Sequence, residues 1–265
     1  MRIHETLADE IARLVRDGAT CREVAKLKGI HRTSVERLLK RLDIRVPKGI
    51  RPAACDGNFF ANFTSESCYW GGMLLADGYI RKDRPVIDLH LKSEDAGHLE
   101  KFKTVVHYEG NISDRITITS PSLKHDLETN FGVVPQKTPI TVFPHQVPKQ
   151  FWHHLVRGIF DGDGCLTQPV GNVPMLSFEG TVVLLKDIRS VLHSELPIKL
   201  KSKNDVAPIQ LQDSKEYGFG VFGAFWYSGE NAKLIADWMY RDSTPETRLD
   251  RKYALYLLWL QAYVK

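Results

Sequence analysis

Apolar positions first recur at helical spacing. Leu7, Ile11, Leu14 and Val15 mark one face of a helix from Glu5 to Arg16, which Asp17-Gly18 ends. Thr20 caps a second helix with Val24, Ala25 and Leu27 on its inner face. Gly29-Ile30 gives a tight turn, and a third helix from Arg32 to Arg41 turns Val35, Leu38 and Leu39 inward. Two prolines, a glycine and three cations then follow in Arg45-Val46-Pro47-Lys48-Gly49-Ile50-Arg51-Pro52, an extended basic arm rather than a regular element.

From residue 65 the apolar period alternates between helix and strand. The expected order is a helix over 66–76, strands over 78–82 and 86–92, a helix from Ser93 to Val106, strands over 111–113 and 115–119, and a helix from Ser120-Pro121 to about Gly132. A second run repeats it: helix 148–162, strands 165–170 and 173–178, helix 181–196, strands near 198–203 and 208–212. Tyr217–Trp226 reads as an extra extended stretch, and helices over 228–240 and 245–264 close the chain. The expected fold class is α/β (α+β), two αββαββα units about a pseudo-twofold axis with antiparallel sheets, behind a small all-α domain. The expected boundaries are 1–44, a basic linker 45–64, a first half 65–147 and a second half 148–265.

Alternation within the strands points to a use. Ile87, Leu89 and Leu91 share one face, with Asp88, His90 and Lys92 on the other; Arg115, Thr117 and Thr119 alternate with Ile116 and Ile118. Lys199, Lys201 and Lys203 alternate with Ile198 and Leu200, and Gln210 and Gln212 flank Leu211. Such sheets bury one face on helices and leave the other polar, and cations, amides and hydroxyls there suit a β-ribbon reading the major groove. Arg81, His90, Lys92, Arg115, Thr117, Lys201, Lys203, Gln210 and Gln212 are the candidate contacts.

Charge agrees with that reading. Residues 1–51 hold 13 Lys/Arg against 7 Asp/Glu, and the remainder 23 against 25. Hydrophobic content of 43% suits a soluble globular chain; no run is long enough for a membrane span, and MRIHETLADE is not a signal peptide. Cys21, Cys55, Cys68 and Cys165 form no C-x-x-C pair, so neither zinc site nor disulfide framework is expected, and a reducing compartment is.

The chemistry-bearing stretch is Leu155-Val156-Arg157-Gly158-Ile159-Phe160-Asp161-Gly162-Asp163-Gly164, with a weaker copy in Trp70-Gly71-Gly72-Met73-Leu74-Leu75-Ala76-Asp77-Gly78. Gly72 and Ala76 in one copy, Gly158 and Gly162 in the other, put small residues on one helix face and let two backbones approach. The expectation is two packed helices with Asp77 and Asp163 side by side at their ends. Two such carboxylates can hold Mg²⁺ against phosphates, generate a nucleophilic water and stabilise a leaving oxygen. An EF-hand loop is not expected, because Cys165 stands where a third oxygen ligand belongs and Asn172 where an acid belongs.

Two resemblances follow from these residues. The pattern T-x-x-E-V-A-x-x-x-G-I-x-x-x-S-V-x-R-L-L from Thr20 resembles the helix-turn-helix of site-specific recombinases and many repressors. It implies a third helix in the major groove, with Arg32, Thr33, Ser34 and Arg37 at bases and Lys40 and Arg41 nearer phosphates; Arg45 and Lys48 of the basic arm follow along the groove. Residues 65–265 resemble the LAGLIDADG homing endonucleases, whose nine-residue signature is similar to Val156–Gly164 and to Trp70–Gly78.

That resemblance implies a monomeric two-motif enzyme that binds a long double-stranded DNA site with two saddle-shaped sheets and cuts both strands. It implies Mg²⁺, with Mn²⁺ or Ca²⁺ able to occupy the site, held by Asp77 and Asp163 with the carbonyls of Ala76 and Gly162. It also implies a basic residue near each metal, here Lys137 and Lys252. Asp161 falls at a structural position, and Leu75 departs from the pattern there. A mobile gene of an intron or phage fits, as does residence in the cytoplasm, nucleoid or organelle matrix, wherever the target DNA lies, with no membrane partner. The alternatives are a non-cutting regulator or intron maturase on the same fold, and a nickase; the ends carry no splice signature of an intein.

Overall fold

The computed structural model describes residues 5–44, 52–170, 173–199 and 209–263. Helices α1 (Glu5–Arg16), α2 (Cys21–Leu27) and α3 (Arg32–Arg41) enclose a core of their own around Ile11, Val24, Val35 and Leu39. Thr20 begins α2 through a capping box: its hydroxyl accepts from Glu23 N at 3.2 Å, and the Glu23 carboxylate accepts from Thr20 N at 2.9 Å. Gly29 takes the left-handed conformation, φ 61°, that the turn into α3 requires. Leu27 departs from expectation. It is 68% exposed, because at 3.6 residues per turn it lies about 120° from the stripe made by Cys21, Val24 and Ala25.

Residues 54–63, expected as linker, instead form a layer on the body that follows. Phe60 is fully buried, Glu109 N donates to Ala54 O, Asp56 N to Val106 O, and Asn130 Nδ2 to Phe60 O. Cys55, Phe59 and Phe63 pack beside Phe60, so the segment has enough apolar surface to hold itself down.

The first half contains α4 (Ser65–Asp77), β1 (Gly78–Ile80), β2 (Val86–His90), α5 (Ala96–Val105) after a 3₁₀ turn at Ser93–Asp95, β3 (Arg115–Thr119) and α6 (Pro121–Phe131). The second contains α7 (Trp152–Asp163), β4 (Gly164–Val170), β5 (Val173–Thr181), α8 (Val182–Glu195), β6 (Gln210–Gln212), β7 (Phe222–Ser228), α9 (Gly229–Tyr240) and α10 (Asp250–Tyr263). The result is mixed helix with two antiparallel sheets, ordered β1-β2-β3 and β4-β5-β7-β6. Helices α5 and α6 pack on the first sheet, α8, α9 and α10 on the second, and α4 lies along α7 between them.

Three strand expectations change. Residues 111–113 form no strand, because Ser113 N bonds Arg115 O in a local turn and Ser113 Oγ bonds Asp114. Residues 198–199 are irregular, and Lys201 and Lys203 lie outside the described residues. The stretch read as extra supplies β7, which pairs with β5 as β3 pairs with β2. Its inward Phe225 and Tyr227 anchor it, whereas Gln210-Leu211-Gln212 is exposed throughout and sits at the edge.

Candidate functional site

The site is built where α4 and α7 meet. A Cβ on Gly72 would lie 2.3 Å from Leu155 O, and one on Gly158 would lie 2.0 Å from Tyr69 O. The helices therefore touch backbone to backbone, as the small residues predict. Further along, a Cβ on Gly162 would meet Ala76 Cβ at 2.4 Å and Asp77 Oδ2 at 3.2 Å, which brings the two signatures together at their acids.

Each helix stops at its acid for a local reason. Gly78 and Gly164 are extended and start β1 and β4 directly. A Cβ at Gly78 would strike Leu74 O at 2.5 Å, and one at Gly164 the Phe160 ring at 2.2 Å, so only glycine lets the chain fold back over the last turn. Asp77 and Asp163 thus stand at helix C-termini, at the negative end of each helix dipole. Both residues are exposed by surface area, although the density of protein around each carboxyl is enough to desolvate it in part. Burial, and next the Asp77 charge, push the Asp163 carboxyl up to about 6. Burial raises Asp77 too, opposed by Lys137, Lys252 and Lys92. This locus favours a cation.

The two lysines answer it differently. Lys137 is buried and donates from Nζ to Ala76 O at 2.8 Å. No second acceptor for its ammonium occurs among the described residues, and two hydrogens remain for a ligand. Burial lowers its pKa, and Asp163 and Asp77 oppose that. Lys252, also buried, gives Nζ to Phe160 O at 2.6 Å, Asp161 O at 2.9 Å and Gly164 O at 2.5 Å. All three of its hydrogens are engaged, so it caps the end of α7 and acts on the site by charge. The Ala76 carbonyl, expected in a metal shell, carries the Lys137 ammonium; no hydrogen bond to the Gly162 carbonyl occurs among the described residues.

Asp161 plays a different part from Asp163. Its buried carboxylate accepts from Tyr69 Oη at 2.8 Å and Leu249 N at 2.8 Å through Oδ2, with Tyr240 Oη 3.4 Å from Oδ1. Since Tyr69 donates to Asp161, His98 Nε2, 2.7 Å from Tyr69 Oη, carries the proton and donates to it. Burial holds His98 down at about 3, so it stays neutral.

One site residue has no counterpart in the sequence expectations. The registers Gly78↔Leu89 and Gly164↔Phe178 place the next residues, His90 and Glu179, beside Asp77 and Asp163. Glu179 is exposed, and its charge helps raise Asp163. The alternation of β5 and its spacing from the signature carried that information. Among the described residues, no group of three or more His, Cys, Asp or Glu could hold a metal, so the protein offers a carboxylate pair.

The open sheet faces differ in charge. On the first, His90 and Arg115 are exposed and Arg81 lies at the strand end, but Asp88 accepts from Arg81 at 3.3 Å and from Thr117 Oγ1 at 2.6 Å. Lys92 is exposed near Asp77. On the second, Gln210, Gln212, Ser177, Glu179, Met175 and Trp226 line a shallow groove, and no cation lines it among the described residues. The expected cationic face is thus an amide and aromatic one in the part described. Arg32, Thr33, Arg37 and Arg41 are exposed on α3 and Ser34 is half-buried. Arg32 bonds Glu36 at 2.6 Å. Arg45 and Lys48 lie outside the described residues.

No helix among the described residues is long and apolar enough to cross a membrane. No curated protein matches this sequence. Among solved structures, sixteen chains match. One is I-SmaMI bound to uncleaved DNA target in the presence of calcium ions, with 12% identity, 74% of this chain and 98% of that chain covered, and a TM-score of 0.33. Likeness at that level is too slight to carry fold or activity across. Residues 10–45 match the family model of the homeodomain-like domain, which accords with the three helices around Gly29.

Proposed function

We propose that this protein is a site-specific, divalent-metal-dependent endonuclease of double-stranded DNA, built from two halves, 65–147 and 148–265, with residues 1–44 extending the DNA footprint. The observation that carries the reading is the placement of Asp77 and Asp163 at the ends of two helices packed through Gly72, Gly158 and Gly162, beneath two open antiparallel sheets.

The donor set fits a hard cation such as Mg²⁺. Both carboxylates are raised by burial, both sit at helix C-termini, and Gly162 leaves Asp77 Oδ2 uncovered. Asp77 and Asp163 would hold the metal, with remaining ligands from water and the DNA phosphates. When bound, it supplies a nucleophilic water at neutral pH and neutralises charge on the leaving oxygen. The chain's own contribution is positioning. Lys137 points two free donors at a scissile phosphate, and Lys252 fixes the α7 terminus while adding positive charge. His90 and Glu179 border the two acids and make the two sides of the site chemically unequal. The amides of Gln210 and Gln212 suit adenine edges, and Arg115 suits guanine or phosphate.

Incubating the full chain with a random-site duplex library in Mg²⁺ and sequencing the ends tests this. Recurrent double-strand breaks at one sequence support it. A second reading, a DNA-binding protein that does not cut, is favoured by the full engagement of Lys252 and by Lys137 on Ala76 O. Selective retention of one sequence without cleavage in Mg²⁺ or Mn²⁺ would select it.

A further inference from the structure

We propose that the two halves brace each other crosswise, each holding the segment that carries the other half's lysine, so that Asp95 and Thr181 are positioning residues for Lys252 and Lys137. Naming these lysines as site residues rests on the proposed function; the bracing itself rests on contacts.

Lys252 lies in the first turn of α10. Next to it, Arg251 makes a two-pronged pair with Asp95 of the first half, Nε to Oδ1 at 3.2 Å and Nη2 to Oδ2 at 2.9 Å. The Asp95 side chain is only 9% exposed, so this pair is better shielded than an ordinary surface bridge. Lys101, further along α5, pairs with Asp250 at 2.8 Å and donates to Arg248 O at 3.1 Å. Tyr69 of α4 holds the Asp161 carboxylate that receives Leu249 N. First-half side chains therefore grip residues 248–251, directly before Lys252.

The opposite brace runs from the start of α8. Thr181 Oγ1 donates to Thr141 O at 2.5 Å, and Thr141 Oγ1 donates to Lys137 O at 2.9 Å. Asp187 of α8 lies 3.5 Å from His145 Nε2 on the same connecting segment. Helix α5 follows β2 and helix α8 follows β5, so both braces come from the same place in the order of elements. Both end on a buried ammonium whose charge acts on Asp77 and Asp163.

The test uses the full chain without metal or DNA. Acetic anhydride labelling, read peptide by peptide by mass spectrometry, reports the local opening that exposes each lysine. Asp95→Ala should raise the labelling rate of Lys252 about fivefold or more and leave Lys137 unchanged; Thr181→Val should do the reverse. Asp95→Glu and Thr181→Ser should return both rates toward wild type. Thr181 also caps α8 through Leu184 N, so Thr141→Val, which removes the bond to Lys137 O and leaves that cap in place, separates bracing from capping; it should raise Lys137 labelling alone. Should Asp95→Ala fail to fold, Asp95→Asn takes its place. Equal change at both lysines, or none at either, would overturn the proposal. On a cleavable duplex labelled on each strand, Asp95→Ala should slow one strand and Thr181→Val the other. Equal slowing of both strands would overturn the link to the reaction. A wild-type chain that cuts nothing would count against the endonuclease and leave the labelling result standing.

Discussion

Gly162 packs onto the other signature so closely that its missing Cβ is what keeps Asp77 Oδ2 clear, since that atom would stand 3.2 Å from the oxygen. The same economy recurs up the helix pair at Gly158 and Gly72, where the obstacles are backbone atoms that cannot swing away.

Gly158→Ala should therefore be costly. Its Cβ meets Tyr69 O at 2.0 Å, and parting two packed helices costs about 1–3 kcal/mol or more. Gly97→Ala in α5 meets nothing within 4 Å and should stabilise by about 0.5–1 kcal/mol. Urea unfolding of the two variants checks both signs; equal midpoints would contradict the packing.

Tyr69→Phe removes the hydroxyl between His98 and Asp161. One buried acceptor loses a donor, His98 Nε2–H loses its acceptor, and the loss should be about 1–3 kcal/mol with little change in helix content. Circular dichroism and denaturant titration together read this out, and wild-type stability would show that the network carries no weight.

Acidification should weaken the fold early. His98, His153 and His154 are buried and depressed to about 3, 4 and 3, chiefly by burial, against 6.5 when unfolded. Below pH 6.5 the unfolded chain binds protons that the folded one refuses, so stability falls with pH. Asp163, near 6, and the raised Asp77 and Asp161 act oppositely, because their folded forms take up protons first. Between pH 7 and 6 the histidines act first, and a net loss of about 1–2 kcal/mol is expected. Unfolding at these two pH values tests it, and a gain on acidification would contradict it.

Arg37 on α3 is exposed, whereas Arg32 is engaged by Glu36 in the free protein. Arg37→Ala should cost about 1–3 kcal/mol of affinity for a specific duplex if it reads a base, and less if it meets phosphate. Fluorescence anisotropy across a salt series distinguishes these, and unchanged affinity would remove α3 from the interface.

Much of the helix pair was legible in the sequence, because Gly72, Ala76, Gly158 and Gly162 encode contact through spacing alone. The capping box at Thr20 and the turn at Gly29 were equally local. What escaped depended on partners distant in the chain. Residues 111–113 are β-branched at only one position and yield to a turn at Ser113, while β7 owes its central place to pairing with β5. Lys252 was visible as a basic residue, but its three carbonyl acceptors come from residues 88 to 92 positions away. Glu179 lay in the alternation of β5, but its place beside Asp163 depends on the register of β4 with β5.

The central claim is that Asp77 and Asp163 together hold the metal that hydrolyses DNA. It is tested most directly by cleavage of the recovered duplex in Mg²⁺ by wild type and by Asp163→Asn, each shown folded by its unfolding midpoint. Cutting by wild type with none by the variant is the result predicted; full cleavage by Asp163→Asn would contradict it.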